Sequence, residues 1–134
     1  MYHTHINSLR QEMMGLGGAL IILEPNQERI HRDYFIMLQE FKIKDLKHGE
    51  IKEGTFDIDP IAMDFNFFTM NGRCFPFTTP LEVKYGEIMR IRLGNIMHDA
   101  HPIHIHGHQF YVTASDGNQI KMENWLKKNT INVA

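Results

Sequence analysis

Five of the nine histidines in this 134-residue chain lie in a single run, residues 98–108. Isoleucine, phenylalanine, tyrosine and valine accompany the last of them, and these β-branched and aromatic residues predict a strand over residues 103–114. The ordinary alternative is a histidine-rich surface strand, or an accidental chelator such as a tag. Four histidines spaced by three, two and two positions, among apolar residues and a glycine, favour a metal site instead.

The parity of the histidines divides the run between two faces. Because side chains alternate between the faces of a strand, His104, His106 and His108 would share one face. His101 has the opposite parity, and Pro102, which donates no ladder hydrogen bond, belongs at the start of a strand. The run therefore suits two separate sites, one on each side of a sheet.

Composition narrows the classes of protein to which the chain can belong. The length suits one domain or slightly less than two small ones, and 43% hydrophobic with 22% charged residues is ordinary for a globular protein. A net charge of −2 without a basic cluster argues against a nucleic-acid partner. The longest apolar run, residues 16–23, is too short to cross a bilayer, so we expect no membrane partner. The N-terminus lacks the pattern of a signal peptide.

The N-terminal residues hold a second His-x-His pair, His3 and His5, which share one face if this segment is extended. Residues 15–23 predict a buried strand entered through a tight glycine bend. Residues 24–29 are polar and contain a proline, so residues 25–30 are the best candidate for a linker.

Beyond residue 30 the pattern is one of short strands separated by turns. The predicted strands cover residues 31–43, 65–72, 79–86 and 88–93 and a last one from Thr130, with a charged loop at 44–54 and turns at Asn71-Gly72 and Asp116-Gly117-Asn118. Residues 121–128 predict the only helix, of about two turns. Such a pattern predicts an all-β fold, a Greek-key β-sandwich or barrel with at most one short helix.

Imidazole is a suitable ligand for copper, zinc, iron and nickel. Two His-x-His pairs on facing strands would supply four ligands, which gives His3 and His5 a common role with His104 and His106. A zinc hydrolase normally adds a carboxylate close to its histidines, but no acid follows this run before Asp116.

The segment HPIHIHGHQF (101–110) closely resembles the third copper motif of the multicopper oxidases, the laccase-like family. The segment YHTH (2–5), followed by a glycine-rich apolar stretch, resembles the second motif of that family. Residues 70–95 are similar to the strands that lead into the third motif. The resemblance covers nearly the whole chain, in the order found in two-domain members, and implies a cupredoxin-like fold.

The resemblance implies copper as the cofactor. His101 corresponds to a ligand of type 1 copper, and His104 corresponds to a ligand of type 2 copper. His106, His3 and His5 correspond to ligands of type 3 copper in the trinuclear cluster. The family couples one-electron oxidation of a small reducing substrate to reduction of dioxygen to water, so both are expected partners. Two-domain members imply a homo-oligomer for the full-length protein.

The other four histidines correspond to no ligand. We expect His98 and His108 to support their neighbours, and His31 and His48 to lie on the surface. The sequence leaves localisation open, although a periplasmic or secreted location would suit the parent enzyme.

The chain departs from the family pattern at both ends. The first motif, HWHG, and the fourth, HCHxxxH, are absent from the 134 residues, so two of the four histidine pairs remain. The type 1 site takes its cysteine from the fourth motif, and Cys74, which has no histidine neighbour, is expected to be a loop or packing residue.

We therefore predict an internal fragment of a longer oxidase that is inactive alone. Residues 1–24 would be the last strands of a truncated first cupredoxin domain, 25–30 a linker, and 31–134 a second, truncated cupredoxin domain. The alternative hypothesis is a non-catalytic, cupredoxin-like module that binds copper or zinc without turnover.

Overall fold

A computed structural model describes residues 1–23, 25, 30–47, 50 and 53–134. The chain divides into two compact units, Met1–Asp99 and Ala100–Ala134. This division does not coincide with the domain boundaries expected from the sequence, which stay a prediction. The predicted linker and His48 lie largely or wholly outside the described residues.

Strands dominate both units. In chain order the elements are β1 (Tyr2–His3), α1 (Ser8–Met13), β2 (Gly17–Gly18), β3 (Arg32–Phe41), β4 (Phe67–Met70), β5 (Met89–Asn95), β6 (His101–His104), β7 (Phe110–Val112), β8 (Ala114–Ser115), β9 (Asn118–Gln119), a 3₁₀ turn (Met122–Asn124), β10 (Leu126–Lys128) and β11 (Thr130–Val133). The predicted all-β class is confirmed. Within the described ranges, no helix is long and apolar enough to span a membrane.

The first unit is built on a three-stranded sheet in which β3 is central, antiparallel to β4 and parallel to β5. A central strand has neighbours on both edges, and residues 36–40 of β3 are all buried. The long strand predicted over 31–43 and the one over 88–93 are thus confirmed. So is the Asn71-Gly72 turn after β4, since both residues have positive φ angles, 53° and 74°.

The N-terminal residues of the first unit form a small two-stranded ribbon. β1 and β2 are antiparallel, with Tyr2 opposite Gly18 and His3 opposite Gly17. A Cβ atom on Gly18 would lie 2.5 Å from the Tyr2 hydroxyl, so the glycine admits the tyrosine ring. The prediction of a buried strand over 15–23 is wrong: β2 has two residues, and Leu20 and Ile22 beyond it are 69% and 85% exposed.

One predicted strand of the first unit, residues 79–86, is absent, since this described segment has no strand pairing. At Glu82 the backbone bonds to a side chain instead of a neighbouring strand. The Tyr34 hydroxyl donates to the Glu82 carbonyl at 2.7 Å and accepts from the Glu82 N–H at 3.1 Å. A phenol therefore satisfies the two backbone groups that a strand ladder would use.

The second unit consists of three antiparallel pairs, β6 with β11, β7 with β10 and β8 with β9. The continuous strand predicted over 103–114 is wrong, because the chain turns between β6 and β7, where Gly107 has a φ of 76°. The helix predicted over 121–128 is also wrong. A short 3₁₀ turn occupies its first half, and its second half pairs with β7 as β10. The strand predicted from Thr130 is confirmed as β11.

Candidate metal centre

The histidine pair of the second unit remains together although its strand is broken. His104 is the last residue of β6, and His106 lies in the turn that follows. Their ring centroids are 5.0 Å apart, with the rings edge to face. The two rings were predicted to share one face of a strand. A turn brings them together instead.

The ring of His104 is oriented by β11, the neighbouring strand. In the β6–β11 register Thr130 lies directly opposite His104. The His104 Nδ1 atom is 2.8 Å from the Asn129 carbonyl oxygen and 2.8 Å from the Thr130 hydroxyl oxygen. A carbonyl oxygen only accepts hydrogen bonds, so Nδ1 carries the proton and the lone pair lies on Nε2. The Nε2 atom of His104 is thus free of the Nδ1 contacts and available as a lone-pair donor.

The histidine pair of the first unit has a comparable arrangement. The ring centroids of His3 and His5 are 4.7 Å apart. The His3 Nδ1 atom lies 2.8 Å from a carboxylate oxygen of Glu12 on α1. An ionised carboxylate only accepts hydrogen bonds, so Nδ1 again carries a proton, and in the neutral ring Nε2 holds the lone pair. Glu12 was not among the site residues predicted from the sequence, although it lies only nine positions after His3.

The remaining described histidines lie at separate positions, and only the separation of His101 from His104 follows the parity prediction. His101 begins β6 and alternates with His104, so the two side chains lie on opposite faces, and His101 is half-buried. His98 stacks on Phe65, with ring centroids 6.4 Å apart. His31 is exposed and uses Nδ1 as an acceptor for the Ile88 N–H at 3.0 Å. His108 is exposed between β6 and β7.

A buried carboxylate that the sequence analysis missed lies next to the histidine run. Glu40 is fully buried in β3, and one of its oxygens accepts hydrogen bonds from the backbone N–H groups of His98 (3.0 Å) and Asp99 (2.7 Å). Because an uncompensated buried carboxylate is costly, these bonds fix the backbone at residues 98–99, just before the histidine strand. The available signal was an acid near the end of the predicted strand, next to Gln39.

The residues that the structure describes contain no group of three or more His, Cys, Asp or Glu side chains able to hold a metal ion. Cys74 is half-buried in the segment after β4 and forms no disulfide. The ligand assignments for His3, His5, His101, His104 and His106 therefore stay predictions. The donor chemistry does fit copper, since imidazoles with a fixed proton and an open Nε2 are suitable ligands.

Comparison with known proteins places the chain in a family. The family described as "Multicopper oxidase" matches residues 45–134, about two thirds of the chain. The chain belongs to the multicopper oxidase family. The match and the strand-rich structure confirm the predicted cupredoxin-like, all-β fold class. Membership of this family implies copper-related oxidase chemistry at the level of the family.

A curated relative agrees with this assignment over a short stretch. The multicopper oxidase MmcO of Mycobacterium tuberculosis (strain ATCC 25618 / H37Rv) is 38% identical over 50 residues, which cover 37% of this chain. The chain spans about a tenth of that relative's length, since the stretch covers 10% of it. No solved structure matches the chain significantly.

Proposed function

We propose that this chain supplies His3, His5, His104 and His106 as imidazole ligands to the oxygen-reducing copper centre of an oxidase. That oxidase would couple one-electron oxidation of a small reducing substrate to reduction of dioxygen to water. The observation that carries the proposal is shared by both pairs. In each, one ring donates its Nδ1 hydrogen to a fixed acceptor at 2.8 Å and keeps Nε2 open.

The chain's own residues would bind and orient the metal. An exposed histidine with a free ring samples both tautomers, whereas His3 and His104 are each held in the tautomer that coordinates through Nε2. Copper, when bound, supplies the one-electron redox chemistry that imidazole cannot. His101, on the opposite face of β6 from His104, would belong to a separate copper site at which electrons enter.

A second candidate is a module that binds copper or zinc without turnover. The described residues favour it in one respect, since no group of three or more potential ligands is assembled among them. Two imidazoles per unit would bind a metal ion more weakly than a complete site. Cys74 has no histidine neighbour in the sequence with which to bind copper.

Titration of the full 134-residue chain with Cu(II), followed calorimetrically, separates these candidates from adventitious binding. We expect His104→Ala and His106→Ala each to weaken binding by more than about 100-fold, because loss of a ligand should exceed the 10–100-fold effect of an outer-shell change. Gln109→Ala is the matched control, since Gln109 is exposed in the same segment and should leave the affinity unchanged. Equal effects of all three substitutions would contradict the assignment.

Turnover tests the prediction, common to both candidates, that the chain alone is inactive. We expect the copper-loaded chain alone to oxidise a phenolic dye no faster than free copper does, since it carries two of the four histidine pairs of the family pattern. Sustained oxidation that disappears in His104→Ala would show that the chain itself is a complete catalyst. An intense blue absorption band would show instead that Cys74 binds copper as a thiolate.

A further inference from the structure

The Glu12 side chain, which contacts His3 of the first histidine pair, is more buried than is usual for a glutamate on a surface helix. The Glu12 side chain is only 12% exposed, while the His3 side chain that it contacts is 40% exposed. Withdrawing a carboxylate from water is unfavourable unless it is hydrogen-bonded. Glu12 is therefore held against His3 at a cost that an exposed glutamate on the outer face of the helix would avoid.

The elements around this contact fix its geometry. α1 lies between β1 and β2 in the chain, and those two strands pair with His3 opposite Gly17. Met13, the residue after Glu12, is 5% exposed and anchors the helix, which contacts β3. A Cβ atom on Gly17 would lie 2.5 Å from the Ile96 side chain, so β2 is closely packed at this position. Glu12 is thus presented to His3 by packed backbone and not by a mobile loop.

We propose that Glu12 is a positioning residue for a metal-binding imidazole: its carboxylate accepts the Nδ1 hydrogen of His3 and so directs the Nε2 lone pair of that ring toward the metal. This inference rests on the proposed function, since it concerns a proposed copper ligand. A carboxylate partner also increases the electron density of the imidazole and strengthens its bond to a metal ion. Glu12 is not assigned as a ligand itself, because its Oε1 atom is engaged by His3 at 2.8 Å.

The tautomer of His3 tests the proposal without any metal. Nitrogen-15 chemical shifts of the histidine rings, recorded on the metal-free 134-residue chain at alkaline pH, distinguish protonated from unprotonated ring nitrogens. We expect His3 to be protonated at Nδ1 in the wild-type chain. Glu12→Leu, which retains the apolar bulk of the side chain, should shift His3 to the tautomer mixture of free imidazole. Glu12→Gln should retain the Nδ1–H form, because the amide oxygen still accepts.

A metal titration of the same variants connects the tautomer to function. Outer-shell partners of ligating histidines contribute about 10–100-fold in affinity, so Glu12→Leu should weaken Cu(II) binding within that range and Glu12→Gln by less. Glu123→Ala is the control, since it removes an exposed carboxylate in the other unit and should change neither readout.

The two hypotheses fail in different ways. Wild-type His3 protonated at Nε2, or an unchanged tautomer in Glu12→Leu, would overturn the role of Glu12, and the wild-type result needs no variant to fold. An altered tautomer with unchanged copper affinity would also overturn it. If His3→Ala leaves copper affinity unchanged, the proposed function fails at this residue, whatever the tautomer shows.

Discussion

In each histidine pair one ring is oriented by a hydrogen bond from Nδ1, but the two acceptors differ. In the first unit a carboxylate, Glu12, accepts the Nδ1 hydrogen of His3. In the second unit the acceptor for His104 is the backbone carbonyl of Asn129, with the Thr130 hydroxyl at the same distance of 2.8 Å. One acceptor is a charged side chain on a helix, and the other is a backbone carbonyl in the bend between β10 and β11.

This difference predicts how each pair responds to substitution. A side-chain acceptor is removed by a single mutation, whereas a backbone carbonyl persists as long as β6 and β11 remain paired. The first pair should therefore be sensitive to changes at Glu12, and the second should tolerate side-chain changes around it. The orientation of His104 in the second pair depends instead on the pairing of β6 with β11.

The largest effect is expected at Glu40, which holds the segment that enters the strand of the second pair. Glu40→Ala removes the acceptor of two backbone N–H groups, those of His98 and Asp99, and leaves a cavity in β3. We expect the free energy of unfolding to fall by about 3 kcal/mol, the order expected when partly buried donors lose a charged partner. Urea denaturation followed by circular dichroism measures this loss.

Glu40→Gln provides the matched comparison, because its amide oxygen still accepts from both N–H groups. It should lose about 1 kcal/mol, the difference between charged and neutral hydrogen bonding. A loss below about 0.5 kcal/mol for Glu40→Ala, the range of ordinary surface substitutions, would show that the contact has no role in stability.

The smallest effect is expected from Thr130→Val. This substitution removes the hydroxyl next to His104 Nδ1 but keeps the β-branched shape that suits β11 and leaves the Asn129 carbonyl in place. Copper affinity should therefore change by no more than about threefold, compared with about 10–100-fold for Glu12→Leu. The same calorimetric titration applies. A tenfold loss for Thr130→Val would mean that the hydroxyl, and not the carbonyl, orients the ring.

The sequence predicted best those parts of the fold that depend on local pattern. The apolar run of β3 fits a strand with neighbours on both edges, and Asn71-Gly72 has the positive φ angles that its residue types favour. The separation of His101 from His104 followed from parity alone, because both lie within the short strand β6.

The failures arose where long-range contacts override local pattern. Residues 126–128 have a helical pattern but pair with β7, and the Trp125 indole N–H donates to the Ile120 carbonyl in the turn before them. The turn at Gly107 interrupted an apolar alternation that otherwise indicated one strand. Glu12 and Glu40 were missed because their partners lie 9 and 58 or more positions away, and no local pattern reveals such contacts.

Electron spin-echo spectroscopy of the Cu(II)-loaded chain tests most directly whether imidazoles bind copper through Nε2 while the protein holds Nδ1. Copper bound to one ring nitrogen couples to the remote one, and the coupling depends on the hydrogen bond that the remote nitrogen makes. We expect remote-nitrogen modulation from both His3 and His104. Glu12→Leu should alter the modulation from His3 alone, and His104→Ala should abolish the modulation from His104. Copper bound without remote-nitrogen modulation, or modulation unchanged by both substitutions, would contradict copper binding by His3 and His104.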